Sequence, residues 1–271
     1  MPAANGSLIE FTPAAIEDER LATSLAGFEL QQPVTHAGGI CDGLEQVPVL
    51  SRSVVSIVMV GSIYEVPPSI GDRGVTSRGL EYYGEHILEM VNIAHTAHKP
   101  LAVSVAGFNP DGYGNAAQRV GRYADIIEVN FGFPSRNWDE NERRFTAPCD
   151  SRNIAPIVTD VKQRAPDTPL GVKLPHYTEP DTLDEVAEAI RGLPIYYVAA
   201  GGLAQVMRLR QLLPPSIQLV GVEKGPDLLD YLGAGASVVQ VAASYWNGGK
   251  NPGVFSDILS KYVDQLPETP G

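Results

Sequence analysis

Short apolar segments recur along the chain, and longer segments with helical periodicity follow most of them. The segment Ser56–Val60 (Ser-Ile-Val-Met-Val) is almost continuously apolar, which is typical of a strand buried on both faces of a parallel sheet. Eight segments of this kind are predicted to be strands: Pro33–Ala37, Ser56–Gly61, Leu101–Ala106, Ile126–Phe131, Leu170–Leu174, Ile195–Ala200, Gln218–Val222 and Val238–Ala243.

The segments between these strands have the spacing expected of helices. In Leu80–Ala97 the apolar residues Ile87, Val91 and Ala94 recur three or four positions apart and therefore share one face. Asp181–Arg191 carries acidic residues in its early turns, where the helix dipole favours them. Further helices are predicted over Ser151–Arg164, from Pro226, and from about Pro252 to Gln265. Because strand and helix alternate eight times, the sequence predicts a single-domain α/β protein, a (β/α)8 TIM barrel, rather than an open doubly wound sheet.

Length, composition and charge agree with this fold and narrow the function. The chain has 271 residues, close to the ~250 typical of one such barrel. Its net charge of −12, without a basic stripe, argues against a nucleic-acid partner. Cys41 and Cys149 have no metal-ligand spacing and are expected to be free thiols, as in a reducing compartment. No segment approaches a membrane span and Met1–Glu10 lacks a secretory pattern, so we expect a cytoplasmic protein without a membrane partner.

The domain boundaries are expected close to the ends of the chain. Residues 1–20 are predicted to be an N-terminal extension, residues 21–266 the barrel, and residues 267–271 a frayed C-terminus. The long irregular stretches Tyr64–Gly79 and Gly132–Asp150 both follow strands. We therefore expect both to lie over the carboxyl-terminal mouth of the barrel, where the active sites of this fold form.

Several segments, in the right order and spacing, resemble the dihydroorotate dehydrogenase family, specifically its soluble single-chain branch. The closest match is Leu170–Tyr177 (Leu-Gly-Val-Lys-Leu-Pro-His-Tyr). The other matching segments are Leu25–Val34, which resembles the opening hairpin and first barrel strand, and then Gly79–Tyr83, Glu128–Phe131, Ile217–Gly221, Leu232–Ala236 and Val239–Val241. The resemblance covers about Leu21 to Leu266. It implies a flavoenzyme in which FMN lies across the barrel mouth and takes a hydride from a dihydropyrimidine.

Two residues keep the type that the resemblance implies. Lys173 matches the lysine that contacts the flavin ring, and Asn130 matches a substrate-binding asparagine. Each residue also has a structural alternative. Lys173 could be an inherited lysine paired with a carboxylate, and Asn130 could hold a loop in place.

Other positions depart from the family pattern. Phe133 stands where the family has its catalytic base, a cysteine or serine, and a missing general base typically costs ~10²–10⁴ in rate. Gly61-Ser62 replaces a lysine of the second strand, and Ala199-Ala200 an asparagine of the sixth. Glu223 falls in the turn that cradles the flavin phosphate, where its charge would repel the phosphate unless Lys224 offsets it.

Aromatic residues are common near the predicted strand ends, which suggests a hydrophobic pocket with a few polar groups. Lys173, Asn130 and His36 are predicted to be the catalytic residues, with His36 either a proton shuttle or a structural residue. The predicted substrate-binding residues are Tyr64, Phe131, Phe133, His176, Tyr177, Ala199, Glu223, Tyr245 and Trp246. In the alternative, the aromatic residues only fill a vacated flavin site. The histidine spacing predicts no metal site.

These departures lead to three hypotheses about function. The first is an enzyme without a cofactor that cyclises or isomerises a small hydrophobic secondary metabolite, for example by a Diels–Alder closure. The second is an FMN-dependent oxidoreductase of the dihydroorotate dehydrogenase type with an altered substrate. The third is a non-catalytic binding protein. The expected partner is a small molecule. The sequence itself leaves the oligomeric state open, and the resemblance allows a homodimer because the family commonly dimerises.

Overall fold

A parallel eight-stranded sheet rolled into a (β/α)8 barrel forms the centre of the molecule, as the sequence predicts. The computed structural model describes residues 18–65, 77–132, 151–222 and 228–266. The barrel strands are β3 (Val34–His36), β4 (Val58–Tyr64), β5 (Leu101–Ala106), β6 (Ile126–Asn130), β7 (Leu170–Lys173), β8 (Tyr197–Gly201), β9 (Gln218–Val222) and β10 (Ala236–Val241). Their order around the barrel is β3-β10-β9-β8-β7-β6-β5-β4.

Helices surround the barrel and each longer one buries an apolar face against it. The helices are α1 (Val47–Arg52), α2 (Gly79–Thr96), α3 (Pro110–Val120), α4 (Ser151–Arg164), α5 (Pro180–Ile190), α6 (Leu203–Leu212), α7 (Leu228–Gly233), α8 (Ala243–Asn247) and α9 (Gly253–Val263). Helix α3 begins with local signals, since the Asn109 side chain accepts a hydrogen bond from the Gly112 N–H and Pro110 occupies the first turn. No helix in the described ranges is long and apolar enough to cross a membrane.

A β-hairpin closes the amino-terminal end of the barrel. Strands β1 (Thr23–Leu25) and β2 (Phe28–Leu30) pair antiparallel, as the resemblance implied for this segment. The turn residues Ala26 and Gly27 both have positive φ, which the tightest hairpin turns require. Leu25 and Leu30 pack into the same apolar cluster as the side chains inside the barrel.

The seam between β3 and β4, the two ends of the strand order, is closed partly by side chains. The Thr35 hydroxyl donates to the carbonyl of Ile57 at 2.7 Å, and the Met59 N–H donates to Nε2 of His36 at 3.0 Å. The Ser56 N–H donates to the carbonyl of Val34 at 2.9 Å. Side chains thus supply hydrogen bonds at this seam that backbone pairing supplies elsewhere in the barrel.

The strand predictions place most elements correctly and miss one boundary that matters for the site. Strand β4 was expected to end at Gly61 but continues to Tyr64, which is 1% exposed. The predicted N-terminal extension and frayed C-terminus fall almost wholly outside the described residues and stay predictions.

Candidate active site

Lys173 lies at the carboxyl end of β7 with its side chain inside the barrel. Its Nζ donates to Oε1 of Gln240 on β10 at 2.9 Å and lies 3.9 Å from Oε1 of Glu128 on β6. Only 13% of the lysine side chain and none of the glutamate side chain is exposed. Burial lowers the pKa of Lys173, and the neighbouring Glu128 carboxylate opposes that shift. The Lys173 amine is therefore held at the mouth end of the barrel interior by an amide and a carboxylate.

Glu128 is the centre of a polar layer that it forms with Lys173, Gln240 and Tyr197. The sequence analysis assigned no role to Glu128. Its Oε2 accepts hydrogen bonds from Nε2 of Gln240 at 2.5 Å and from the hydroxyl of Tyr197 at 3.4 Å. Its Oε1 is buried and accepts no hydrogen bond from the part of the chain that the structure describes. The available signal was the alternation of β6: a glutamate two positions before Asn130 must face the same side of the strand.

Asn130 is the neighbour of Lys173 across the β6–β7 pair. Its Nδ2 donates to the hydroxyls of Ser62 at 3.0 Å and Ser104 at 3.3 Å. Its Oδ1 accepts from the Gly132 N–H at 2.8 Å, and the residue is 6% exposed. These contacts favour the structural alternative in this state, because a substrate would have to replace one of them. The substrate-binding role of Asn130 stays a prediction.

His36 is fully buried at the β3–β4 seam. Its Nε2 accepts from the Met59 N–H, so Nδ1, which lies 3.2 Å from the carbonyl of Ala37, must carry the proton. Burial lowers the pKa of His36 to about 4, and the ring is therefore neutral near pH 7. Both nitrogens are occupied by backbone groups. This geometry favours a structural role, and the predicted proton shuttle stays untested.

Two aromatic residues expected in the mouth lie elsewhere, and the expectation for them is corrected. Tyr64 packs against Phe108 with ring centroids 5.8 Å apart, and Phe131 packs against Tyr113 of α3 at 5.4 Å. Both belong to the core between the barrel and the helices, at 1% and 0% exposure. The reason is strand alternation: with Asn130 facing inward, Phe131 must face outward.

Three predicted substrate-binding residues surround the ends of β7 and β8. Ala199 lies inside the barrel, opposite Lys173 in the β7–β8 register. His176 is exposed, with Nδ1 3.4 Å from the carbonyl of Gly201. Tyr177 is partly buried against the outer core, and its N–H donates to the Gln205 side chain. Of the three, only Ala199 faces the interior next to the lysine.

Two further predicted residues, Tyr245 and Trp246, have their contacts away from the polar layer around Lys173. Tyr245 of α8 is 8% exposed and stacks on Phe255 with centroids 5.7 Å apart. Trp246 is 43% exposed, with Nζ of Lys250 4.7 Å from its ring centroid. Phe133 and Glu223 lie outside the described residues, so their predicted positions stay untested.

Comparison with known proteins gives one consistent family. The sequence model of the family described as dihydroorotate dehydrogenase matches residues 20–201. The catalytic subunit of dihydroorotate dehydrogenase B (NAD(+)) from Thermoplasma acidophilum is 26% identical, covering 89% of this chain and 92% of that protein. The corresponding subunit from Thermoplasma volcanium is 25% identical, covering 90% of this chain and 94% of that protein.

A solved structure supports the same architecture. The crystal structure of DHODH in complex with ferulenol from Eimeria tenella has a TM-score of 0.77, and the match covers 93% of this chain and 86% of that one. At 16% identity this likeness concerns the fold. The sequence comparisons, by contrast, extend over nearly the whole chain of each relative.

Proposed function

Because this chain belongs to the dihydroorotate dehydrogenase family, we propose that it is an FMN-dependent oxidoreductase acting on a small molecule other than dihydroorotate. The observation that carries the proposal is the buried Lys173–Gln240–Glu128 layer at the mouth end of the barrel. The altered substrate is inferred from Phe133, which cannot accept a proton at the position of the family's catalytic base. A small-molecule partner, a homodimer and a cytoplasmic location stay predictions.

The expectation of a cyclase or isomerase without a cofactor is wrong. The family model matches residues 20–201, and the two relatives from Thermoplasma cover 89% and 90% of the chain. All three point to an oxidoreductase family. The prediction that the protein has no cofactor is also wrong, since members of this family are flavin enzymes. Losing a proton acceptor at one position removes one catalytic group and leaves the fold of the family unchanged.

The described residues fit the polar edge of a flavin ring. Lys173 Nζ is an N–H donor at the mouth end of the barrel, and the buried Glu128 Oε1 accepts no hydrogen bond from the described residues. An acceptor left without a partner in a buried position is costly unless a ligand or water satisfies it. The turn at Glu223, expected to face the phosphate, is not among the described residues. The described residues can therefore be compared with the ring end of FMN and not with its phosphate end.

Each residue of the layer has a separate task in this proposal. Bound FMN would supply two-electron chemistry by accepting a hydride from the substrate. Lys173 would favour negative charge that develops on a bound ring, because its own charge is fixed in a site with little water. Gln240 orients the Lys173 side chain, and Glu128 opposes the lowering of the Lys173 pKa by burial. The Tyr197 hydroxyl in turn holds the carboxylate.

Replacing Lys173 tests the proposal. We expect Lys173→Met to weaken FMN binding at least tenfold, because a charge-assisted contact is typically worth about 1.5–3 kcal/mol. The single variant leaves Glu128 buried without a cation, which is destabilising, so Lys173→Met/Glu128→Gln is measured beside it. The measurement is a titration of FMN fluorescence on binding to the apoprotein. Lys162→Met, which removes a lysine of α4 that donates to the backbone carbonyl of Thr168, is the matched control. Equal FMN affinity in all four proteins would contradict the role of Lys173.

A further inference from the structure

A cavity of about 770 Å³ lies at the amino-terminal end of the barrel, opposite to the mouth. Its wall is formed by the hairpin strand β2, by the loop that leads into β4 and by the loop that leads into β5. The volume is within the range typical of sites for small molecules, roughly 300–1,000 Å³. We call it the basal cavity.

Lys99 is a half-buried charged group in the wall of the basal cavity. Its Nζ donates to the backbone carbonyl of Ser53, and no carboxylate lies within ion-pair distance of it in the described ranges. Burial lowers the pKa of Lys99 to about 8, so the amine is still mostly protonated near pH 7. An ammonium group has three donors, and the contact with Ser53 uses one. A partly buried cation of this kind is stabilised by an anion.

The rest of the wall combines hydrogen-bonding and apolar groups. The Ser51 hydroxyl is buried and has no hydrogen-bond partner in the described structure, although Ser51 lines the cavity. Apolar contacts are available from Leu30, Val54, Val55 and Leu259. Arg52 adds a second cation to the wall. A cation beside an apolar surface matches an organic acid with an apolar body.

Acidic residues also line the basal cavity, and unscreened negative charges there would repel an anionic ligand. Asp18 is bound by the Arg20 side chain, which neutralises it. Glu19 and Glu29 are both exposed, so solvent screens their charges. None of the three carboxylates lies within 4.0 Å of Lys99, by the ion pairs among the described residues. Among the described residues, Lys99 is therefore a half-buried charge of the wall without an ion-pair partner, whereas Asp18 is paired with Arg20.

We infer that the basal cavity is a second ligand site, which binds a small organic anion. The charged group of the ligand pairs with Lys99, and its apolar part contacts Leu30 and the partly exposed Val54. The site is separate from the polar layer around Lys173, because the two lie at opposite ends of the barrel strands. It does not depend on the proposed flavin chemistry.

The probes that test this inference are benzoate, phenyl phosphate and inorganic phosphate, with benzyl alcohol as the uncharged analogue. Binding is measured by calorimetric titration of the full chain, with Lys99→Met as the variant. Lys162→Met is the matched control, because that lysine also donates to a backbone carbonyl, that of Thr168, away from the cavity. We expect benzoate or phenyl phosphate to bind saturably, at least tenfold more weakly to Lys99→Met, and with unchanged affinity to Lys162→Met.

Four results would overturn the inference. One is that none of the anions binds saturably to the unmodified protein. Another is that the affinities are the same in Lys99→Met. The third is that inorganic phosphate or benzyl alcohol binds as tightly as phenyl phosphate, since the inference requires both a charge and an apolar body. Crystals of the protein soaked in the tightest probe are expected to contain it beside Lys99, and its presence only at the mouth would equally contradict the site.

Discussion

Gly171→Ala is expected to lower the free energy of unfolding by at least about 3 kcal/mol, at the upper end of the usual cost of overpacking a core. A Cβ at residue 171 would lie 2.0 Å from Cζ of Tyr197, far inside van der Waals contact. The two residues are neighbours across the β7–β8 pair, and Tyr197 is fully buried. The ring cannot move away easily, because it fills the barrel interior. Urea-induced unfolding of the variant measures the loss.

A second substitution tests whether the clash with Tyr197 causes this loss. In Gly171→Ala/Tyr197→Leu the side chain at 197 no longer reaches residue 171, so alanine should cost less than it does beside tyrosine. Gly192→Ala is the control, since a Cβ at Gly192 meets nothing within 4 Å. We expect it to change stability by less than about 0.5 kcal/mol. If alanine at 171 costs the same beside leucine as beside tyrosine, the proposed packing of the ring over Gly171 is wrong.

His36→Leu is expected to destabilise the protein by about 3 kcal/mol at pH 7. Leucine cannot accept the hydrogen bond from the Met59 N–H, which would remain buried without an acceptor at the barrel seam. It also cannot donate to the carbonyl of Ala37. Chemical denaturation at pH 7 measures the loss. A variant as stable as the unmodified protein would show that the seam does not need this ring.

The pH dependence of stability should also depend on His36. Burial lowers the pKa of the folded residue to about 4, against 6.5 in the unfolded chain. Between these values the unfolded chain binds a proton that the folded protein does not, so unfolding becomes easier as the pH falls from 6.5 to 4. The expected contribution is about 3 kcal/mol, and it is lost in His36→Leu. Parallel stability profiles for the two proteins over this window would contradict the assignment.

The barrel could be predicted from sequence because its signals are local. Buried parallel strands are continuously apolar, and the helices between them have one apolar face. The end of β4 was missed because Gly61-Ser62 breaks the apolar run, although the strand continues to Tyr64. The side chain of Phe131 points outward because that of Asn130 points inward, so alternation along the strand was a usable signal. The prediction for Phe131 relied on its aromatic character instead.

The polar layer could not be predicted because it depends on contacts between distant parts of the chain. Glu128 and Gln240 are separated by 112 residues, and Glu128 and Tyr197 by 69. Lys173 was found through its match to the family motif, while the residues that hold it carry no local signal of their own. The wrong expectation of a reaction without a cofactor came from the altered residues, chiefly Phe133. These residues give no information about the polar layer around Lys173.

The central claim, that this chain is a flavoprotein, is tested most directly by the FMN content of the purified protein. The protein is incubated with FMN, freed of unbound cofactor by gel filtration, and examined by visible absorption and by release of the cofactor on denaturation. We predict the absorption of oxidised flavin, close to one FMN for each chain, and a melting temperature raised by FMN. A colourless protein that neither retains FMN nor melts at a higher temperature in its presence would contradict the claim.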